Sequence, residues 1–458
     1  MYLKSIKNFL STYIFFCITL IGSIIILFDV KIVNKEALVI VSFIINGVII
    51  MVQLCKKSKL GYSLKEILFL FLFIFMFFSP LIQYIENSFP WGNENLLKCE
   101  NIVYSNFLIM AFMLIYIVTY KFSYNKDGNL KKTRVMEIKN IKLVLDIFFM
   151  ASILASVYII SKTGLSNLFA RSTNLLQIES TSFSLIVTNT FRAIPVIYIA
   201  MNLLFKEKNN FIYKKANFIL ALILMILINF PTATARFWMA SVYIGLLIII
   251  KKSFNNKYLI KMLIFIGILF IFPFINVFRN NTILDIINKG IDVKNITDGF
   301  LKGDFDSYSM LTRSIIYTNN NGITMGYQLI GNLLFFIPRT MWAGKPIGSG
   351  ATIAEGLGWN FTNVSCPYIG EGYINFGVIG VMLFAIILGR VTKFGDKTYE
   401  YLKDSKNKHI SFIEVVYPFS IGFLFFILRG DLLSSISFYI GFMSSLIALN
   451  LFQRFLYK

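Results

Sequence analysis

The chain has 458 residues, 57% of them hydrophobic and 16% aromatic, with a mean hydropathy of +0.70 and a formal net charge of +21. This composition excludes a water-soluble globular protein of that size. It also removes the usual meaning of a basic chain, because the charges lie between apolar runs of roughly 20 residues, the length a helix needs to cross the ~30 Å hydrocarbon core.

In hydrocarbon the backbone must satisfy its own hydrogen bonds, and continuous rather than alternating apolar runs select helices over a barrel. The expected fold is an all-α polytopic membrane protein of about twelve transmembrane helices with one large external loop. The first run, Phe9 to Phe28, is too long for a signal-peptide core and no small-residue cleavage site follows it, so it reads as a retained span. The others fall at 37–54, 66–85, 102–120, 143–161, 183–205, 216–230, 237–250, 259–278, 369–389, 411–428 and 432–452. The chain therefore divides into nine spans over 1–278, a loop over 279–368 and three spans over 369–458. A short apolar piece near 327–338 reads as a re-entrant or interfacial helix within the loop.

With the N-terminus in the cytoplasm, the inner side, span ends included, carries 29 basic and 9 acidic residues, and the outer side 15 and 14. The basic excess is thus a topology signal that puts both termini inside, and no nucleic acid is expected as a partner. Of 34 Lys, 26 fall inside; of 10 Arg, seven fall outside or at the outer edge. These are Arg171, Arg192, Arg236, Arg279, Arg313, Arg339 and Arg429. A guanidinium fork binds phosphate or carboxylate with two parallel hydrogen bonds and stays charged when partly dehydrated, so Arg gathered on one side suggests an anionic ligand there. Snorkelling to headgroups, or pairing with a nearby carboxylate, is the alternative for any single one.

The loop carries Asp304, Asp306, Tyr308 and Arg313 in a stretch of short amphipathic helical pieces. Aromatics, Gly and Pro with isolated charges follow. Trp342 and Trp359 are candidates for stacking on sugars or for an interfacial aromatic belt. "GSGATIAEGLG" lacks the Lys-Ser/Thr of a nucleotide loop and follows no strand pattern. Of the four cysteines, Cys99 and Cys366 both fall outside and either pair or remain free. The single histidine, His409, falls inside, which leaves outer chemistry without histidine and predicts no metal site. "FFILRGDLLSSISF" sets Arg429, Gly430 and Asp431 in a tight turn between two spans, too constrained for an adhesion loop. Gly430 is expected to permit the bend and Asp431 to orient the Arg429 fork.

"TATARFWMA", "FFIPRTMWAGKP" and "PYIGEGYINFGVIGVML", with the span layout, resemble the bacterial O-antigen and capsule repeat-unit polymerases (Wzy type), which share a GT-C-like membrane bundle with O-antigen ligases. The resemblance implies a glycosyltransferase of the bacterial cytoplasmic membrane with its site facing outward. A growing glycan would pass from undecaprenyl pyrophosphate to the non-reducing end of an incoming lipid-linked repeat. It implies lipid-linked oligosaccharide and bilayer as partners, a chain-length regulator as an optional one, and neither cofactor, nucleotide nor metal. Ligases tend to carry a histidine near the last motif; this chain has Glu371. Developing charge on the leaving pyrophosphate calls for fixed cations, here Arg192, Arg236, Arg279, Arg339 and Arg429. The acceptor hydroxyl calls for a base. Glu371 is the first candidate, with Asp304, Asp306 and Glu355 behind it and Tyr373 and Asp431 as secondary residues. An O-antigen ligase and a lipid-linked oligosaccharide flippase are the alternatives.

Overall fold

The apolar runs close their hydrogen bonds internally as helices, and no strand occurs among the described residues beyond one isolated bridge between Glu137 and Ser411. The computed structural model describes residues 34–56, 61–92, 98–123, 136–165, 168–169, 182–231, 234–250, 259–267, 299–404 and 409–456. In chain order the helices are α1 (Asn34–Leu54), α2 (Leu64–Ile85, with a π turn over 74–78), α3 (Cys99–Phe122), α4 (Ile141–Thr163) and α5 (Ser182–Asn209). Next come α6 (Lys215–Ile228), α7 (Arg236–Ile250), α8 (Leu259–Ile266), α9 (Ser307–Asn321) and α10 (Tyr327–Leu333). The last are α11 (Ser349–Gly356), α12 (Tyr368–Asp404), α13 (Phe412–Arg429) and α14 (Leu432–Leu456).

Eight of these are long and apolar enough to cross a membrane: α1 to α5 and α12 to α14. Two further apolar helices, α6 and α7, are shorter. The expected span at 9–28 lies outside the described residues, as do residues 268–278 of the span expected at 259–278. Large apolar side chains such as Leu154, Ile379, Val391 and Phe455 stay exposed on the helix surfaces, where only lipid would cover them without cost.

Two apolar cores meet on α13. Tyr417, Ile421, Leu424 and Leu428 pack into a core with α1, α2, α3 and α12. Val415, Phe419, Phe423 and Phe426 pack into a second core with α4 to α7 and α14. Both sets follow helical spacing, so α13 is apolar on two faces and buried on both. Its start is set by a capping box in which Ser411 and Glu414 satisfy each other's backbone N–H groups. On α2 the Phe-rich run is buried from Phe69 to Phe77. Phe71 and Phe75 stack at 5.2 Å, and both meet Phe425 edge-on.

Two features depart from the sequence expectation. The span expected at 369–389 is not one straight helix. Phe376 and Gly377 leave helical geometry, Gly377 at φ +61°, and the chain doubles back. Residues 368–375 form a short arm that runs antiparallel against the beginning of 378–404. The Tyr368 and Phe384 rings meet at 4.9 Å, tilted by 52°, and a Cβ on Gly380 would lie 1.9 Å from the Gly372 carbonyl. The three glycines of "GEGYINFGVIG" that permit this reversal and close approach are Gly372, Gly377 and Gly380.

The second concerns α9, within the stretch expected as the outer loop: it is wedged against α3 and α12. Its polar residues tolerate burial because Ser309, Thr312, Ser314 and Thr318 donate to carbonyls three or four residues back. Tyr308 reaches Ile102 O and Asn106 Oδ1 on α3.

Candidate functional site

The turn just before α9 gathers the charged residues. Phe305 is fully buried, stacked on Phe75 of α2 at 5.1 Å and against Phe300 at 4.7 Å. Gln83, at the end of α2, donates to the carbonyls of Phe300 and Phe305. These contacts fix 300–305 against the bundle, so the carboxylates on either side of Phe305 have set directions.

Asp304 accepts from Arg236 Nη1 at 2.7 Å, and Arg236 is the first residue of α7. Asp306 is 1% exposed and accepts from four donors. Oδ1 takes the Ser365 hydroxyl at 2.6 Å and Arg429 Nη2 at 3.1 Å. Oδ2 takes the Trp91 indole N–H at 3.0 Å and Ser365 N–H at 3.4 Å. Arg429 also donates to Gly303 O at 2.7 Å, and its guanidinium lies 5.3 Å from the Phe237 ring centre. Phe237 stacks on Phe426 one turn below Arg429, at 4.9 Å and 2° between planes. The Nε–H of Arg429 is buried and has no acceptor. The residues border a cleft of about 470 Å³ whose walls include Trp91, Lys302, Asp304, Asp306, Arg429 and Asp431.

The turn 429–431 differs from the reading of its sequence in two respects. Gly430 sits at φ −86° and ψ 173°, which any residue adopts; what it supplies is space, since a Cβ there would stand 2.9 Å from the Phe426 ring. Asp431 does not orient Arg429; Asp306 does. The Asp431 carboxylate accepts Leu433 N–H at 2.9 Å and Gly350 N–H at 3.0 Å, so it caps the starts of α14 and α11 together. Burial raises its proton affinity, and the surrounding backbone N–H groups of Gly350, Ser434, Leu433 and Ser349 oppose that rise. Gly348 is glycine for the same reason of space: a Cβ would lie 2.5 Å from Asp431 Oδ2.

Glu371 sits on the short arm of α12 and is fully buried. Its Oε2 accepts the Ser349 hydroxyl at 2.6 Å and its Oε1 accepts Leu432 N–H at 3.0 Å. Both oxygens thus serve the starts of α11 and α14, and Glu371 is not among the residues lining the cleft. Tyr373 shares a hydroxyl contact with Tyr104 of α3 at 3.3 Å and also lies off the cleft. Glu355 is exposed on α11, outside the cleft wall.

The remaining arginines separate. Arg339 is exposed and donates to the carbonyls of Lys345 and Pro346, closing its own loop. The buried Lys345 ammonium donates to Phe335 O and Ile337 O, and burial together with Arg339 lowers its proton affinity. Arg192 lies within α5, away from the cleft wall, with a buried Nε–H that has no acceptor. Arg279 and Arg171 lie outside the described residues. Cys99 and Cys366 are both free thiols. No group of three metal-ligating side chains occurs among the described residues.

Sequence reasoning missed two parts of this arrangement. Trp91 comes from the connection after α2, nearly 200 residues before the 279–368 loop, and its tie to Asp306 had no local signal. Arg313 proves to be internal: it is 2% exposed and donates to Pro90 O and Gly92 O on either side of Trp91.

On the opposite side of the first turn of α14 lies an apolar groove of about 580 Å³ between α10, α12, α13 and α14. Leu329, Leu333, Phe384, Val391, Leu424 and Leu432 are among its walls. Cleft and groove share the α13–α14 junction: Arg429 and Asp431 face the polar side, Ile427 and Leu432 the apolar one. No family model, curated protein or solved structure matches the chain.

Proposed function

We propose that this protein is a polytopic membrane glycosyltransferase that polymerises lipid-linked oligosaccharide repeats on the outer face of a bacterial cytoplasmic membrane, with twelve spans and both termini inside. The observation that carries the reading is the adjacency of the polar cleft and the apolar groove across one helix turn. That arrangement suits an amphiphile with a polar head and a long apolar tail, such as a glycan on a polyprenyl pyrophosphate. The sequence resemblance supports the same class.

In this reading the tail lies in the α10–α12–α13–α14 groove and the head in the cleft. The acceptor hydroxyl attacks the donor sugar at C1, the new C1–O bond forms, and the C1–O bond to pyrophosphate breaks with its electron pair leaving on the phosphate. Arg429 on the cleft wall offsets the charge that develops there, with an Nε–H already without an acceptor, and Arg236 acts from behind it through its pairing with Asp304. The hydroxyl proton passes to a carboxylate. Asp304 takes this role in place of Glu371, because Asp304 lines the cleft with a side chain 24% exposed and Glu371 has no face on it. Arg236 beside Asp304 would be the group whose contact changes as the proton arrives.

The test is deletion of the gene in its own host with the surface polysaccharide run on a gel. Single-repeat glycan on the surface is the expected outcome. Glycan missing from the surface, with intermediates retained inside, would point to a flippase, and unchanged polymer would remove the reading.

A further inference from the structure

We infer that Trp91 is the floor of a sugar-binding subsite, a pre-set aromatic platform on which a pyranose ring of the glycan stacks beside Arg429. The inference deepens the polymerase reading and rests on it for the identity of the glycan; the stacking site itself rests on Trp91 and its supports.

Trp91 is 39% exposed and lines the cleft. Its backbone is left-handed, at φ +68°, a conformation that a bulky L residue adopts at a cost and that persists only where the surroundings impose it. The surroundings here do so from three directions. Arg313 donates to Pro90 O at 2.8 Å and Gly92 O at 2.6 Å, gripping the backbone on both sides of the tryptophan. Asp306 accepts the indole N–H. Gly303 lies against the benzo ring, where a Cβ would stand 2.1 Å from Cζ2. A hydrophobic anchor in a core needs none of this. A half-exposed ring held rigid at a polar cleft has already lost the freedom that binding would otherwise remove.

The platform extends. Phe361 lies 5.1 Å from the Trp91 ring, Trp359 stacks on Phe361 at 5.2 Å and 22°, and the Arg313 guanidinium covers Trp359 at 4.8 Å. The same arginine therefore holds the first ring by its backbone and the last by its face. Phe361 is 41% exposed, so the row has a surface to offer.

The cleft chemistry selects the ligand class. Lys302 and Arg429 stand with Asp304, Asp306 and Asp431 on its walls, so neither sign of charge dominates. Flat aromatic faces attract polarised C–H edges. Carboxylates and amide or ammonium donors at short range match hydroxyl groups in either role. A neutral, hydroxyl-rich ring with one apolar face meets all of these, and a volume of about 470 Å³ is within the ordinary ~300–1,000 Å³ of small-molecule sites. Because Asp306 touches Arg429 with one oxygen and Trp91 with the other, a sugar on Trp91 would lie next to a phosphate at Arg429.

The test uses the full chain in lipid nanodiscs, with maltotriose, cellotriose and chitotriose as probes and saturation-transfer NMR and tryptophan fluorescence as readouts. At least one trisaccharide should bind saturably. Trp91→Ala should weaken it by about ten-fold or more and Phe361→Ala by less, as expected for loss of one aromatic contact with its buried area. Trp91→Phe should fall between wild type and Trp91→Ala, keeping a ring but losing the tie to Asp306. Met341→Ala, on an exposed loop, should match wild type. If Trp91→Ala does not fold, Phe361→Ala and Trp91→Phe decide. Absence of saturable binding to all three sugars, equal binding by the Trp91 and Phe361 variants, or quenching of Trp91 fluorescence by brominated lipids would overturn the inference, the last by making the row an interfacial belt. The two readings fail separately. If Arg429→Ala stops polymer growth while the aromatic variants give wild-type lengths, only the subsite is lost. If Trp91-dependent binding persists but gene deletion leaves polymer unchanged, only the polymerase is lost.

Discussion

Asp306 and Asp396 lie against opposite ends of α13, and each is a buried carboxylate with four hydrogen-bond donors. Asp306 takes the donors already described, one of them a guanidinium, and borders a cleft. Asp396 takes Leu64 N–H at 2.8 Å, Lys65 N–H at 3.3 Å, Tyr120 Oη at 2.7 Å and Tyr417 Oη at 2.5 Å. It caps the start of α2 and ties α3, α12 and α13 together. Every one of its donors is neutral, and the cavity that two of them, Leu64 and Tyr417, border is the apolar groove. Saturation of a buried acid is therefore no sign of function in this bundle. What separates the two is the kind of donor and the polarity of the space beside it.

The largest expected effect is on the closed cluster. Asp396→Ala would leave two tyrosine hydroxyls and two backbone N–H groups without an acceptor, each costing about 1–3 kcal/mol when buried. With partial relaxation a loss of about 3–5 kcal/mol of stability is expected, read as a large fall in the unfolding temperature in detergent. A stable Asp396→Ala protein would show that the two clusters do not differ as described.

Next is Arg429→Ala, which should stop polymer growth, a loss of about a hundred-fold or more for a charge acting on a leaving group in a dry site. Arg429→Lys keeps the charge without the fork and should retain about a tenth of wild-type activity. Equal activity of the lysine variant would reduce Arg429 to a point charge and weaken the contrast with Asp396, whose donors are chosen for geometry alone.

Much of the fold was legible because hydrocarbon leaves the backbone few options: a helix occupies each expected span within the described residues. The reversal at Gly377 was not legible. "PYIGEGYINFGVIGVML" reads as one apolar run, and it takes the break at Phe376 and Gly377 and the Gly372–Gly380 contact to show that it folds on itself. The site was half legible. Arg236 and Arg429 stood out as charges at span ends, and both reach the 303–306 turn. Their partners did not stand out, because Asp304 and Asp306 are among several acids in a long loop. Trp91 joins the site only through tertiary packing.

Glu371 is a smaller test of the same contrast, since it too is a buried, saturated acid. If it holds α11 and α14 together, Glu371→Gln keeps an acceptor for Leu432 N–H and costs about 1 kcal/mol, the net worth of one hydrogen bond. Polymer lengths should stay close to wild type. Loss of polymer with an unchanged unfolding temperature would return the base role to Glu371 and take it from Asp304.

The smallest effect is expected at Arg339, which the sequence places beside the other arginines and the structure does not. Its two bonds go to Lys345 O and Pro346 O from a side chain that is itself exposed to water. Arg339→Ala should therefore change stability by less than about 0.5 kcal/mol, the usual range for surface positions. It should also relieve the like charge that depresses Lys345 and raise that residue's proton affinity toward the ordinary lysine range. Polymer length should not change, whereas Arg429→Ala abolishes it. If Arg339→Ala stops growth as well, the loop closes on the cleft during the reaction, and the phosphate site would then include a cation drawn from a part of the chain that stands apart from it at rest.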